Sequence, residues 1–135
     1  MSIRSLFLVT LVVDDYDRAL DFYCGIMGFE LVADTPLEAT KRWVVVRPPG
    51  GDGAALLLAR ADGVAETAAI GNQTAGRVSF FLKTDDFAGD HARLSAKGVC
   101  FIEEPRHEPY GTVAVFEDCY GNLWDLIQHA DDAAS

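Results

Sequence analysis

The apolar and polar positions of this chain spell out one arrangement twice. Residues 6–13 are apolar except for Thr10, a run that predicts a strand buried on both faces. Ala19, Phe22, Tyr23, Ile26 and Met27 then recur at helical spacing. They predict a helix capped by Asp15, with Asp17 and Asp21 near its positive end and Gly28 as its stop. Phe29 to Ala33 reads as a strand, and Trp43 to Arg47 and Ala54 to Arg60 as a hairpin around the turn cluster 48–53.

About seventy residues later the pattern returns. Val78 to Leu82 predicts a strand, and Asp86 to Lys97 a helix capped by Asp85 or Asp86 and stopped by Gly98. Val99 to Ile102 predicts a further strand, and Thr112 to Glu117 with Asn122 to Gln128 the last hairpin. Pro105 to Gly111 reads as a proline-bounded loop, and residues 62–76 have no clear period. The predicted fold class is α+β: two βαβββ units forming one domain over residues 5–128, with a cleft between curved mixed sheets. Unit one covers about 5–61, a linker 62–76 and unit two about 77–128; residues 129–135 read as a tail, frayed from Ala130.

Charge narrows the function classes. The net charge is −10, with six bases and ten acids up to residue 70 and five bases and eleven acids after it. No basic cluster is available to release counterions from a nucleic acid, so nucleic-acid binding is not expected. No apolar run is long enough to span a membrane, so no membrane partner is expected. Cys24, Cys100 and Cys119 are odd in number and widely spaced, which suits reduced thiols and a cytoplasmic location.

Two stretches carry a family resemblance. Asp17-Arg18-Ala19-Leu20-Asp21-Phe22-Tyr23 with the exit Gly28-Phe29-Glu30-Leu31, and the run Phe116 to Ile127 around Asp118-Cys119-Tyr120-Gly121-Asn122, resemble the opening and closing segments of the vicinal oxygen chelate superfamily. That superfamily comprises glyoxalase I, bleomycin and fosfomycin resistance proteins and extradiol dioxygenases, and the resemblance spans about residues 5–128. It implies the paired βαβββ fold and a homodimer. One scaffold hosts lyases, dioxygenases, epimerases and metal-free binders, so the activity is not implied with it.

In metal-dependent members, strands of each unit supply His, Glu, His and Glu to a divalent ion. The resemblance carries these positions to Leu8, Leu57 or Leu58, about Ser79, and Asp125. Residues 3–13, 54–60 and 76–84 contain no His, Asp or Glu, so no metal and no other cofactor is expected. The function that follows is metal-independent binding of a small organic ligand, as in the antibiotic-binding branch. The alternatives are a lyase or dioxygenase of the glyoxalase I or extradiol type, and a metal-free lyase or isomerase using Asp125.

Asp125 is the candidate catalytic residue, as a lone acid or base or an anchor for a cationic ligand; the competing reading has it satisfied by Arg77 or Lys83. Arg77 and Lys83 are candidate ligand contacts for an anionic group, or else strand-end charges. Trp43, Phe81, Tyr110 and Trp124 are candidate aromatic lining, with core positions as the alternative. Trp124 alternates with Asp125, so both face one site only if the strand bulges there. His107, flanked by Glu104, Glu108 and Tyr110 with Glu103 nearby, is a candidate rim residue that binds or gates a ligand, with a rigid surface loop as the alternative. His91 reads as a half-buried structural histidine between Phe87 and Leu94.

Overall fold

Strand alternation decides what is buried in the first unit of the computed structural model, which describes residues 1–131. The chain divides into two compact units, Met1–Gly71 and the portion from Asn72 onward. In the first, β1 (Leu8–Val13), β2 (Glu30–Glu38), β3 (Lys41–Arg47) and β4 (Ala55–Arg60) form a sheet of order β1-β4-β3-β2. β1 runs parallel to β4, and the other neighbours are antiparallel. Leu11 and Val13 of β1, Val44 and Val46 of β3, and Leu58 of β4 are fully buried, together with Ala19 and Tyr23 of the helical segment. Thr10 and Leu57, paired in register, point the other way, and Thr10 is exposed.

The expectation that residues 6–13 are buried on both faces is therefore corrected. β1 begins at Leu8, is an edge strand and has one covered face, while Leu6 and Phe7 precede it in the open. A single helical segment covers one side of a sheet, and apolar content alone does not reveal which side.

That segment also differs in detail. Asp15 caps it as expected, its Oδ1 accepting from the amides of Asp17 and Arg18 at 2.8 and 3.0 Å. α1 (Tyr16–Leu20) then passes into a π-helical stretch, Asp21–Ile26, where the Met27 amide donates to Phe22 O at 2.9 Å. The wider turn accommodates the adjacent bulky rings of Phe22 and Tyr23, which meet edge to face at 5.1 Å while Tyr23 also meets Phe29. Gly28 follows at φ +76°, as Gly98 does at φ +88° after the helix of the second unit. Residues 62–76 contain a helix the sequence did not signal, α2 (Gly63–Ala69). It buries no residue, which removes the hydrophobic period, and Glu66 reaches back to accept from the Asp62 amide at 3.0 Å.

The second unit has β5 (Val78–Lys83), α3 (Phe87–Ala96), β6 (Cys100–Phe101), β7 (Arg106–Glu108), β8 (Gly111–Glu117) and β9 (Leu123–His129). Its sheet order is β5-β9-β8-β6, with β7 pairing β8 and β5 parallel to β9. Under α3 runs a chain of rings: Phe87 to His91, His91 to Phe101, Phe101 to Phe116, Phe116 to Trp124 and Trp124 to Phe80, with centroids 4.2 to 6.0 Å apart. These contacts define the covered face. The β8–β9 turn is held by buried Asp118, whose Oδ1 accepts from the amides of Tyr120 and Asn122 and whose Oδ2 accepts from Asn122 Nδ2, all at 2.9 Å.

The predicted loop from Pro105 to Gly111 holds β7 instead. Its flanking prolines are tolerated because β7 lies at the margin of the sheet, where a missing donor leaves no gap. In the expected frayed tail, the Ala130 amide donates to Tyr110 O at 2.9 Å, and residues 132–135 lie outside the described ones. No helix among the described residues is long and apolar enough to cross a membrane.

Because Leu58 sits at 0% exposure under the helix, Leu58→Ala should cost about 2–5 kcal/mol of unfolding free energy in denaturant melts. A cost below about 1 kcal/mol would contradict the assignment of the covered face.

Candidate functional site

The second sheet turns two different surfaces outward, and β9 sorts the candidate residues between them. Trp124 and Leu126 are buried on the α3 side, while Asp125 and Ile127 alternate to the open side. The only register shift between β5 and β9 lies between Val78 and Phe80, so nothing rotates Trp124 toward Asp125. Trp124, at 2% exposure, is a core residue against Phe80 and Phe116. The sequence expectation that it lines a ligand surface does not match this placement.

Asp125 pairs in register with Phe81 on one side and Val115 on the other. Phe81 is 69% exposed although it sits inside a strand, and Lys83 follows on the same face at the strand end. Asp125 itself is half-buried, and its Oδ1 is enclosed with no hydrogen-bond partner among the described residues. Burial pushes its carboxyl above the ordinary range; Arg106 opposes this and Glu103 adds to it.

Of those two charges the sequence reading missed Arg106, and it had Glu103 only as a neighbour of His107. β6 pairs with β8 as far as Phe116 and β7 resumes at Val113. In the gap, the Ile102 amide donates to Val115 O at 2.9 Å, and Glu103 Oε1 accepts from the Val115 amide at 3.1 Å. A side chain stands in for a strand there. Arg106 donates through Nε to Glu103 at 3.2 and 3.3 Å and through Nη1 to Glu108 at 3.0 Å. The pairing of Arg106 with Val113 puts it on the open face with Val115 and Asp125. The available signal was Arg106-His107-Glu108 alternating between two prolines, a short strand in loop-like composition.

The other expected residues fall elsewhere. Arg77 precedes β5, exposed, its amide donating to Thr74 O, and neither it nor Lys83 is among the charges that shift Asp125. His107 alternates away from Arg106 and pairs with Thr112, its Nδ1 lying 3.3 Å from Thr112 Oγ1. Tyr110, 52% exposed between β7 and β8, is close enough to act on the Arg106 charge. Trp43, 40% exposed, belongs to the open face of the first sheet. His91 is half-buried between Phe87 and Phe101.

A divalent ion does not fit these residues. Leu8 and Leu57 on the open face of the first sheet have no lone pair, and Leu58 lies on the covered face. Ser79 is engaged with Thr74 at 2.8 Å. Among the described residues no three His, Cys, Asp or Glu side chains come together as a metal site.

In the first unit an open depression of about 580 Å³ is lined by Tyr16, Asp17, Leu37, Lys41, Arg42 and Arg60, none of them expected from the sequence. Its centre is structural. Arg42 forms a fork with Asp34 at 2.7 and 3.1 Å, bonds Asp17 at 3.0 Å and lies over the Tyr16 ring at 5.0 Å. The contact holds Asp34 below the usual carboxylate range and ties the β2–β3 hairpin to the start of α1.

Known proteins share this architecture. A protein of Shewanella frigidimarina is 53% identical over 129 residues, covering 95% of this chain and 96% of that one. The crystal structure of TnmS3, an antibiotic binding protein from Streptomyces sp. CB03234, superposes with a TM-score of 0.75 at 34% identity, covering 96% of this chain and 99% of that one. The structure of UcmS2 gives a TM-score of 0.80 at 30% identity, over 94% and 98%. Residues 5–126 match the family model, and with two mixed sheets built from βαβββ units the chain belongs to the Glyoxalase/Bleomycin resistance protein/Dioxygenase superfamily.

Proposed function

We propose that this protein is a metal-independent binder of a small organic molecule, and that the open face of the second sheet, around Phe81 and Asp125, contacts the ligand. One observation carries the reading: a strand-interior aromatic ring is left exposed directly beside a half-buried carboxyl, whose Oδ1 has no hydrogen-bond partner among the described residues. Folding leaves neither group satisfied, and a ligand with an apolar body and a polar end satisfies both. Lys83, Arg106 and Tyr110 surround that contact, whereas Trp124 is left out of it. The likeness to TnmS3 supports binding over turnover, and the leucines at the family's ligand positions support independence from metal. The same carboxyl also favours a second reading, a metal-free lyase or isomerase with Asp125 as general base, in which Asp125→Asn abolishes turnover but not binding.

A single domain over 5–128, a homodimer and a cytoplasmic location complete the proposal. Cys24, Cys100 and Cys119 are thiols, which suits a reducing compartment. The first sheet presents the apolar residues Trp43, Leu31 and Val32 to solvent, which supports association of two copies.

Three outcomes are expected. Protein purified and dialysed should contain less than about 0.2 equivalents of divalent metal by elemental analysis, since stable catalytic sites take about three protein ligands; a stoichiometric ion surviving dialysis overturns metal independence. Light scattering should give twice the chain mass of 14.7 kDa, and a constant 14.7 kDa across a wide concentration range refutes the homodimer.

The third concerns Asp125. Because its carboxyl is raised on folding, the folded protein binds that proton more tightly than the unfolded chain does. The stability it contributes is present at low pH and is lost as pH rises from the ordinary carboxylate range through the raised value. Asp125→Asn removes that loss, so at neutral pH the variant should be at least as stable as the parent in denaturant melts. The advantage should vanish on acidification. A variant less stable at neutral pH would make Asp125 a structural partner of a cation.

A further inference from the structure

The charges around Asp125 do not balance. Arg106 opposes the rise of its carboxyl, but the guanidinium is already bonded to Glu103 through Nε and to Glu108 through Nη1. Lys83 lies two pairs further along the same face, opposite Ile127. By formal charge the three acids Asp125, Glu103 and Glu108 exceed the two bases of this face, Arg106 and Lys83, by one. The charge is fixed in place, since Glu103 is pinned to the Val115 amide in the gap of the β8 edge.

A second feature of different origin points the same way. The Phe81 ring is open to solvent beside the carboxylate, and an aromatic face attracts cations through its quadrupole. An anionic ligand meets two unfavourable surfaces here, and a neutral one leaves the carboxylate uncompensated. Resting on the reading of this face as a ligand site, we infer that its ligand is an organic cation. The apolar body lies on Phe81, and a charged N–H group meets the exposed side of the half-buried Asp125 carboxylate. Arg106 does not contact the ligand's charge; it limits the local excess of negative charge and positions Glu103.

Three isosteric probes test the inference: benzamidinium, benzamide and benzoate, each titrated into the full chain and followed by backbone and methyl NMR. Benzamidinium is expected to shift the signals of Phe81, Asp125, Val115 and Ile127 and to bind about tenfold more tightly than benzamide, with benzoate leaving this face unperturbed. Asp125→Asn, isosteric and checked for native signal dispersion, should bring benzamidinium and benzamide within about twofold of each other. Phe81→Leu should weaken both probes. Benzoate or benzamide binding this face as tightly as benzamidinium overturns the cation while leaving the ligand-site reading intact. Shifts confined to other acidic surface, or no shift here from any of the three probes, overturn both.

Discussion

Each sheet of this protein has one helical segment to cover it, and a strand presents its side chains alternately to two sides. One face of each sheet is consequently covered by that segment, and the other leaves residues exposed around a buried centre, Val45 in the first unit and Val113 and Val115 in the second. In the first unit the sealed set is Leu11, Val13, Val44, Val46 and Leu58 under Tyr23. In the second it is Phe80, Phe101, Phe116, Trp124 and Leu126 beneath Phe87 and His91. The core, the candidate site and the exposed apolar residues all descend from that one-sidedness. A shift of one residue in register would exchange Trp124 for Asp125 and bury a carboxylate under the helix.

The two units reach the same architecture with different materials. The first fills its sealed face with aliphatic side chains and widens its helix into a π-helical turn to seat Phe22 beside Tyr23. The second uses a continuous file of rings and a regular helix. The second also breaks the outer edge of β8 and mends it with Glu103, whose side chain takes an amide that a strand carbonyl would otherwise take. That repair brings acidic charge to the open face, and Arg106 follows it there. The exposed ion pairs themselves add little to stability. Their consequence is the electrostatic setting of Asp125.

The superfamily's scaffold does not choose a chemistry; the few side chains on its open faces do. In this chain those positions hold leucines on the first sheet and, on the second, an acid without a hydrogen-bonding partner at Oδ1 beside an exposed ring. Such a set offers one carboxylate where a divalent ion takes three or four protein ligands. The Arg42 cluster around the depression in the first unit has its donors committed to Asp34 and Asp17, so it serves to fasten a hairpin.

Local chemistry determined much of this from the sequence alone. Gly28 and Gly98 end their helices because only a residue without Cβ takes the left-handed conformation cheaply, and Asp15 and Asp86 cap because a short acceptor reaches the first amides. The repeated strand and helix periods predicted two like units, the segments 17–31 and 116–127 carried the resemblance to the family, and Asp125 stood out as the one acid at a family ligand position. Other features had no local signal. Alternation showed that Trp124 and Asp125 oppose each other but not which of them meets the helix, because the two faces of a strand are equivalent until something covers one. α2 buries nothing and so leaves no period to read. The Glu103 and Arg106 pair depends on a gap between two short strands, and a gap is a property of pairing across the sheet rather than of any stretch of chain.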